Sequence, residues 1–183
     1  NKTNKSTSKK YTNEEIRKIT GWFKDKEGNW EFEISDKNTK ILEKLSPNTS
    51  YKLSEIFEAK TLYDLYPELK TVELQTKNMK SNGSFNSQSN KIMLNNKLLN
   101  NSESVRGTIL HEIQHDIQNA EGLPTGTTIL FGNERYANSK GEIEAADTKN
   151  RRNMTVEERK RTSPESSKKN PIHPNREAIL NHK

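Results

Sequence analysis

The sequence predicts a small α+β domain in which a few antiparallel strands pack beside one long helix and a second, acidic helix. Residues 102–121 carry apolar side chains at helical spacing, and residues 140–153 form a second helical segment. Residues 21–36 alternate apolar and polar side chains around a turn, which is typical of a hairpin. Short apolar segments at 71–76 and 91–96 predict two further strands.

The composition limits the size of the core and the kind of metal site. Of the 183 residues, 28% are hydrophobic and 31% are charged, so we expect one domain with a small core. The chain has no cysteine, which excludes disulfides and thiolate metal sites, and any metal must be held by histidine and carboxylate. No apolar run approaches the roughly 20 residues that span a bilayer, and no signal peptide is visible, so we expect a cytoplasmic protein that does not enter membranes.

The ends of the chain are polar and basic. We expect a disordered basic tail at 1–17, the folded domain at 18–162 and a loose polar tail at 163–183. The net charge of +6 is concentrated near the ends, where solvated tails are the main interpretation and weak nucleic-acid contact is the alternative. The sequence does not begin with methionine, so we expect a processed product or a piece of a longer protein, and the oligomeric state is not indicated.

Local signals place the smaller elements. Capping boxes are predicted where Thr12 precedes Glu15 and where Thr155 precedes Glu158, each at the start of a short helix. A short helix should end before Pro67, and residues 77–90 are polar and turn-rich.

The long helix contains the pattern H-E-x-x-H in "TILHEIQHDIQNAEG". At about 100° per residue, His111 and His115 lie about 40° apart and share one face. Ile109, Ile113 and Ile117 fall on the opposite face, as does Ala120, so the helix should bury this stripe and present both imidazoles to a cleft. Two imidazoles at i and i+4 can bind one metal ion.

Two further features refine this helix. Ser102 or Ser104 could cap its start, and Gly122 stands where a left-handed glycine ends a helix. Glu112 lies about 100° from His111, where its carboxylate could hydrogen-bond a reacting water without binding the metal. The alternative interpretation of the whole pattern is a polar helix face in solvent.

A catalytic zinc ion needs a third protein ligand and an open position for water. Glu121 is one candidate, but Gln118 stands where a glycine would have to turn the chain back toward the histidines. Glutamate-liganded zincins take the third ligand from a second helix, often in the pattern E-x-x-A, where the alanine lets the two helices approach. Glu142 with Ala145 in "GEIEA" is similar to that pattern, so we favour Glu142, and Glu144 is its competitor. In zincin folds the substrate lies along the edge strand that precedes the active-site helix, and the segment 91–96 precedes this helix.

Four other side chains are candidates for supporting roles. Asp116 and Asp147 could orient an imidazole. Tyr136 could stabilise the oxyanion formed when water attacks a carbonyl, and Arg135 could serve instead. The alternative for Tyr136 is simple packing.

Several segments together resemble one family. They are "TGWFKDKEGNWEFEISD", "LYDLYPELK", "GTILHEIQHDIQNAEG", "GEIEA" and "RRNMTVEER", in that order. Over roughly residues 18–165 the chain resembles the H-E-x-x-H domain associated with large polyvalent proteins of phages, prophages and conjugative elements, which is regarded as a glutamate-liganded zinc metallopeptidase. The resemblance implies a zincin-like (gluzincin-like) fold and one zinc ion per chain, held by His111, His115 and either Glu142 or Glu144, with Glu112 as the catalytic acid–base.

These observations predict a zinc metalloendopeptidase that acts on a protein or peptide substrate with Glu112 as general base. The resemblance also implies a module of a longer protein, delivered with a phage or another mobile element. Two alternatives remain open: a non-catalytic zinc-binding module, and a nucleic-acid-associated accessory module of a polyvalent protein.

Overall fold

The computed structural model describes residues 10–24, 28, 30–34, 36, 38–123, 140–162 and 164. These residues form a mixed α+β arrangement of six α-helices and eight strands. The helices are α1 (Asn13–Thr20), α2 (Leu53–Ile56), α3 (Lys60–Leu65), α4 (Ser102–Ala120), α5 (Lys140–Arg151) and α6 (Val156–Arg161). The strands are β1 (Trp22–Lys24), β2 (Trp30–Phe32), β3 (Lys40–Ile41), β4 (Ser50–Lys52), β5 (Phe57–Glu58), β6 (Glu73–Lys77), β7 (Gly83–Asn86) and β8 (Lys91–Asn95).

The chain divides into two compact units, Asn1–Glu33 and Ile34–Lys183. In the first unit the predicted capping box is confirmed: the Glu15 N–H donates to the Thr12 hydroxyl, and the Thr12 N–H donates to the Glu15 carboxylate at 2.8 Å. Gly21 ends α1 with a left-handed φ of 84°, which glycine adopts without strain. Strands β1 and β2 then pair antiparallel, as the hairpin prediction required.

The second unit contains a four-stranded sheet in the order β4-β6-β8-β7. The expectation of antiparallel strands is correct for β4 with β6 and for β7 with β8, but wrong for β6 and β8, which run parallel. The reason is that the chain leaves β6, forms β7 first and returns as β8 between them. Alternating side chains predict a strand equally well in either direction, so the pattern could not reveal this order.

Strand β7 lies in the segment that was predicted to be turn-rich. Its sequence, Gly-Ser-Phe-Asn, has little strand propensity, and pairing with β8 overrides this local preference. Strand β8 confirms the strand predicted at 91–96 but lies inside the sheet, so among the described strands β7 is the edge strand beside α4.

Helix α4 packs its apolar stripe into the core of the second unit. Ile109, Ile113 and Ile117 are buried as predicted, whereas Ala120 is exposed at the last helical residue. The cap is Asn101, whose side chain accepts from the Ser104 N–H, so the prediction of a serine cap is wrong. An asparagine at this position serves the same purpose, because its side-chain oxygen satisfies a free N–H of the first turn.

Helices α4 and α5 pack against each other in opposite directions. Gln118, near the end of α4, donates to the carbonyl of Gly141, near the start of α5. At the other end, a Cβ added to Gly107 would lie 3.1 Å from the side chain of Arg152. Ala145 is fully buried, as expected for a small residue where helices approach. Beyond α5, the predicted capping box of Thr155 and Glu158 is confirmed at α6.

The left-handed glycine predicted at the end of α4 is also confirmed. Gly122 has a φ of 65°, and the N–H of Leu123 donates to the carbonyl of Gln118 at 2.8 Å. This stop ends the helix just beyond the residues that face α5.

Candidate metal centre

Helix α4 places His111 and His115 side by side on the face opposite its buried isoleucines. Their side chains are 19% and 13% exposed, and the ring centroids lie 4.9 Å apart in an edge-to-face arrangement. Both rings are therefore largely removed from water while their Nε2 atoms face the neighbouring helix α5.

The side chain of Glu142 extends from α5 to both imidazoles. One carboxylate oxygen lies 3.5 Å from Nε2 of His111, and the other lies 3.2 Å from Nε2 of His115. Burial would raise the pKa of Glu142, but hydrogen bonds with the two histidines hold that pKa far below its usual range. Burial by itself would lower the pKa of His115, because it disfavours the charged ring. The nearby Glu142 carboxylate has the larger effect, and the pKa of His115 is raised.

Gln118 orients His115 from the other side of the ring. Its amide nitrogen donates to the carbonyl of Gly141 at 3.1 Å and to a carboxylate oxygen of Glu144 at 2.9 Å. Both amide hydrogens are thereby used, so the amide oxygen faces Nδ1 of His115 at 3.0 Å. An amide oxygen can only accept, so Nδ1 of His115 carries a proton; Nε2 then donates to Glu142 when the ring is protonated, and it has a free lone pair when the ring is neutral.

The sequence did not single out Gln118 as a supporting residue. In the sequence, position 118 matters to the third ligand only because a glycine there would turn the chain back toward the histidines. The available signal is the i to i+3 spacing from His115, which brings the two side chains together on one helix face.

The other carboxylates have different contacts. Glu144 is buried and accepts from Gln118, so it supports His115 through an intermediate side chain. Glu121 ends α4 and hydrogen-bonds with Tyr66, whose pKa is raised by burial and then by Glu121. Asp147 lies 3.8 Å from Nε of Arg151, on its own helix.

Glu112 is buried between the histidines and strand β7. The side chain of Glu112 packs closely against Gly83 of this strand, because a Cβ added to Gly83 would lie 2.6 Å from Oε1 of Glu112. The same Cβ would lie 2.7 Å from the methyl of Thr108. Burial raises the pKa of Glu112, and the nearby imidazoles oppose this shift. Ligand-type atoms of His111, Glu112 and His115 lie within 4.8 Å of one another, so this His-Glu-His group could bind a metal ion.

Tyr136 and Arg135, the candidates for oxyanion stabilisation, lie outside the described residues. The expected tail at 163–183 is described only at Pro164.

Among the described helices, none is both long and apolar enough to cross a membrane.

Comparison with known families bears on the start of the chain. A family model described as large polyvalent protein associated domain 23 matches residues 1–42. This match supports the predicted association with large polyvalent proteins. It ends before α4, so it gives no support to the H-E-x-x-H motif or to peptidase activity. No curated protein and no solved structure matches the chain.

Proposed function

We propose that this chain is a zinc-dependent metallopeptidase whose metal ligands are His111, His115 and Glu142. The observation that carries the proposal is the position of Glu142, which approaches Nε2 of both histidines from a second helix. An ordinary polar helix face in solvent would not bury a carboxylate between two imidazoles. Glu144 is the alternative third ligand, but its contact with Gln118 gives it a supporting role.

The distance from each Nε2 to its nearer oxygen of Glu142 is compatible with a tetrahedral zinc site. Two atoms that each lie about 2.0–2.1 Å from a tetrahedral metal are about 3.3 Å apart. The observed separations of 3.5 Å and 3.2 Å fall on either side of this value. The donor set also suits the metal, since zinc binds imidazole nitrogen and carboxylate oxygen, and three protein ligands leave one position open.

Zinc, when bound, would supply a Lewis acid that polarises a peptide carbonyl and lowers the pKa of water in the open position. Glu112 would accept a proton from the attacking water and deliver it to the leaving amine. The carboxylate is adjacent to His111 in sequence and within 4.8 Å of both ring systems, which is close enough for this role. Tyr136 remains the proposed donor to the oxyanion, on sequence grounds alone.

Strand β7 supports the choice of a protein or peptide substrate. Within the described residues it pairs only with β8, so no other described strand occupies the backbone groups of its outer edge. Gly83 of this strand contacts Glu112 and Thr108 of α4. An extended peptide that pairs with this edge would have its backbone beside the proposed general base.

Metal analysis tests the site independently of any substrate. Purified chain dialysed against trace zinc should retain one zinc ion per chain, and His111→Ala and His115→Ala should each lose it. Full retention by both variants would overturn the proposed ligands. The wild-type chain should then cleave an unfolded protein, stop when zinc is removed by a chelator, and recover when zinc is restored. Stoichiometric zinc with no cleavage across a broad peptide panel would instead favour the non-catalytic binding module.

A further inference from the structure

A second cleft, of about 540 Å³, lies away from the histidines in the second unit. Its walls are residue 36, residues 38–41, the start of α4, and the segment that joins α5 to α6 with the adjoining face of α6. Arg106, the α4 residue of its wall that is nearest in sequence to the histidines, precedes His111 by five residues, which is about 7.5 Å along a helix. Neither histidine lines the cleft, and neither Glu112 nor Glu142 does, so it is a separate feature from the proposed metal centre.

Positive charge predominates in this cleft. Four cationic side chains line it against two carboxylates, which leaves a formal charge of +2. The cations are Lys40, Arg106, Arg152 and Arg159, and the carboxylates are Asp36 and Glu103.

Both carboxylates are already engaged by arginines. One oxygen of Asp36 accepts from Arg159 at 2.6 Å, and the other lies 3.6 Å from Arg106. Glu103 accepts from Arg106 at 3.0 and 3.3 Å. Arg106 donates further hydrogen bonds to Thr39 at 3.2 Å and to Asn153. These contacts hold the guanidinium of Arg106 rigidly in the wall of the cleft.

Arg152 is bound less completely. Its Nη1 donates to the carbonyl of Lys149 at 2.6 Å, and its Nε is buried against Gly107, with the carboxylate of Glu103 3.7 Å away. Its Nη2 has no hydrogen-bond acceptor in the described part of the chain. A guanidinium with donors left over has a geometry that matches the oxygens of a phosphate group.

We propose that this cleft binds the phosphate group of a small ligand the size of a nucleotide, with Arg152 as its main contact. The volume lies within the range of small-molecule sites, about 300–1,000 Å³. Ile41 and Met154 add apolar surface to the lining, against which a flat base could pack. None of the proposed metal-site residues lines the cleft, so this proposal does not depend on the proposed peptidase activity.

Calorimetric titration of the full chain with ADP tests the assignment. Wild type should bind one ADP per chain in a saturable manner, and Arg152→Ala should weaken the affinity about tenfold or more. Arg161→Ala is the matched control, since Arg161 is exposed, belongs to the same basic region and does not line the cleft. It should leave ADP binding unchanged. Thermal melts of the three proteins establish that each is folded.

Nuclear magnetic resonance of the wild type locates the ligand without a substitution. ADP should shift the amide signals of Ser102 and Asn153, and His111→Ala should bind ADP as wild type does. Three results would overturn the proposal: no saturable binding, loss of binding in His111→Ala, or equal weakening by Arg152→Ala and Arg161→Ala. Binding of a single-stranded DNA 12-mer without binding of ADP would also overturn it and assign the positive charge to nucleic acid.

Discussion

The amide oxygen of Gln118 lies 3.0 Å from Nδ1 of His115, and its orientation is fixed because the amide nitrogen donates to two acceptors on helix α5. The imidazole of His115 is thus held at both ends, by Gln118 at Nδ1 and by Glu142 at Nε2. Residues of this kind tune a metal site without contacting the metal.

Replacing Gln118 with methionine should weaken zinc binding. The change preserves the length of the buried side chain but removes the acceptor at Nδ1 of His115, so we expect a loss of about 10–100-fold in affinity. Competition with a chelator of known affinity measures this. Asn119→Ala, at the adjacent exposed position, is the matched control. Equal zinc affinities for the two variants would show that Gln118 has no part in orienting the ligand.

Glu142→Gln and Glu144→Gln should show which glutamate binds zinc and which one only supports the site through Gln118. Both side chains are buried, and each substitution keeps the shape while removing the charge. Glu142→Gln should abolish retention of zinc after dialysis, whereas Glu144→Gln should lower the affinity by at most about 10–100-fold. Metal content by mass spectrometry distinguishes them, and the reverse order would assign Glu144 as the third ligand.

Glu112→Gln should preserve the metal site and abolish catalysis. An amide cannot accept the proton, so hydrolysis should fall by a factor of about 10² or more while zinc content and melting temperature stay near wild type. Glu112→Asp should also be poor, because its shorter side chain misplaces the carboxylate. Equal rates for wild type and Glu112→Gln on a genuine substrate would eliminate Glu112 as the general base.

Gly83→Ala tests the packing of strand β7 against the general base. The added methyl would lie 2.6 Å from Oε1 of Glu112 and 2.7 Å from a carbon of Thr108, so Glu112 must move. We expect hydrolysis to fall about tenfold or more with zinc content retained. Ser84→Ala, which removes a hydroxyl from the next residue and adds no volume, should leave the rate near wild type. A rate for Gly83→Ala that equals wild type would show that the strand does not position Glu112.

Zinc should stabilise the folded chain. A ligand present at about 100 times its dissociation constant adds about 2.7 kcal/mol to the free energy of unfolding, provided that it binds the native state alone. Thermal melts with and without zinc should therefore differ for wild type and coincide for His115→Ala. A rise in melting temperature that is equal in both proteins would mean that zinc binds elsewhere.

The sequence predicted best where local chemistry decides the structure. The capping boxes at Thr12 and Thr155, the buried isoleucine stripe of α4 and the left-handed Gly122 each depend on residues within a few positions of one another. The neighbouring histidines follow from the same periodicity. The position of Glu142 beside both histidines is a contact between two helices. Its choice as the third ligand depended on a sequence motif as well as on spacing.

Features that depend on tertiary contacts escaped prediction. Strand β7 forms because β8 supplies its partner, and the parallel pairing of β6 and β8 follows from the order of strands in the sheet. The role of Gln118 depends on Gly141 and Glu144 of another helix, which no local pattern could place nearby.

The close packing of α4 and α5 at Gly107 links the proposed metal centre to remote parts of the two helices. Two proposed ligands belong to one helix and the third to another, so only molecules with the helices docked hold all three. The apparent dissociation constant for zinc then equals the intrinsic constant divided by the docked fraction. A substitution at Gly107 by a residue larger than alanine, whose Cβ would already lie 3.1 Å from the Arg152 side chain, would lower that fraction and weaken zinc binding without contacting any ligand. The affinity for zinc thus reports the fraction of molecules in which α4 and α5 are docked.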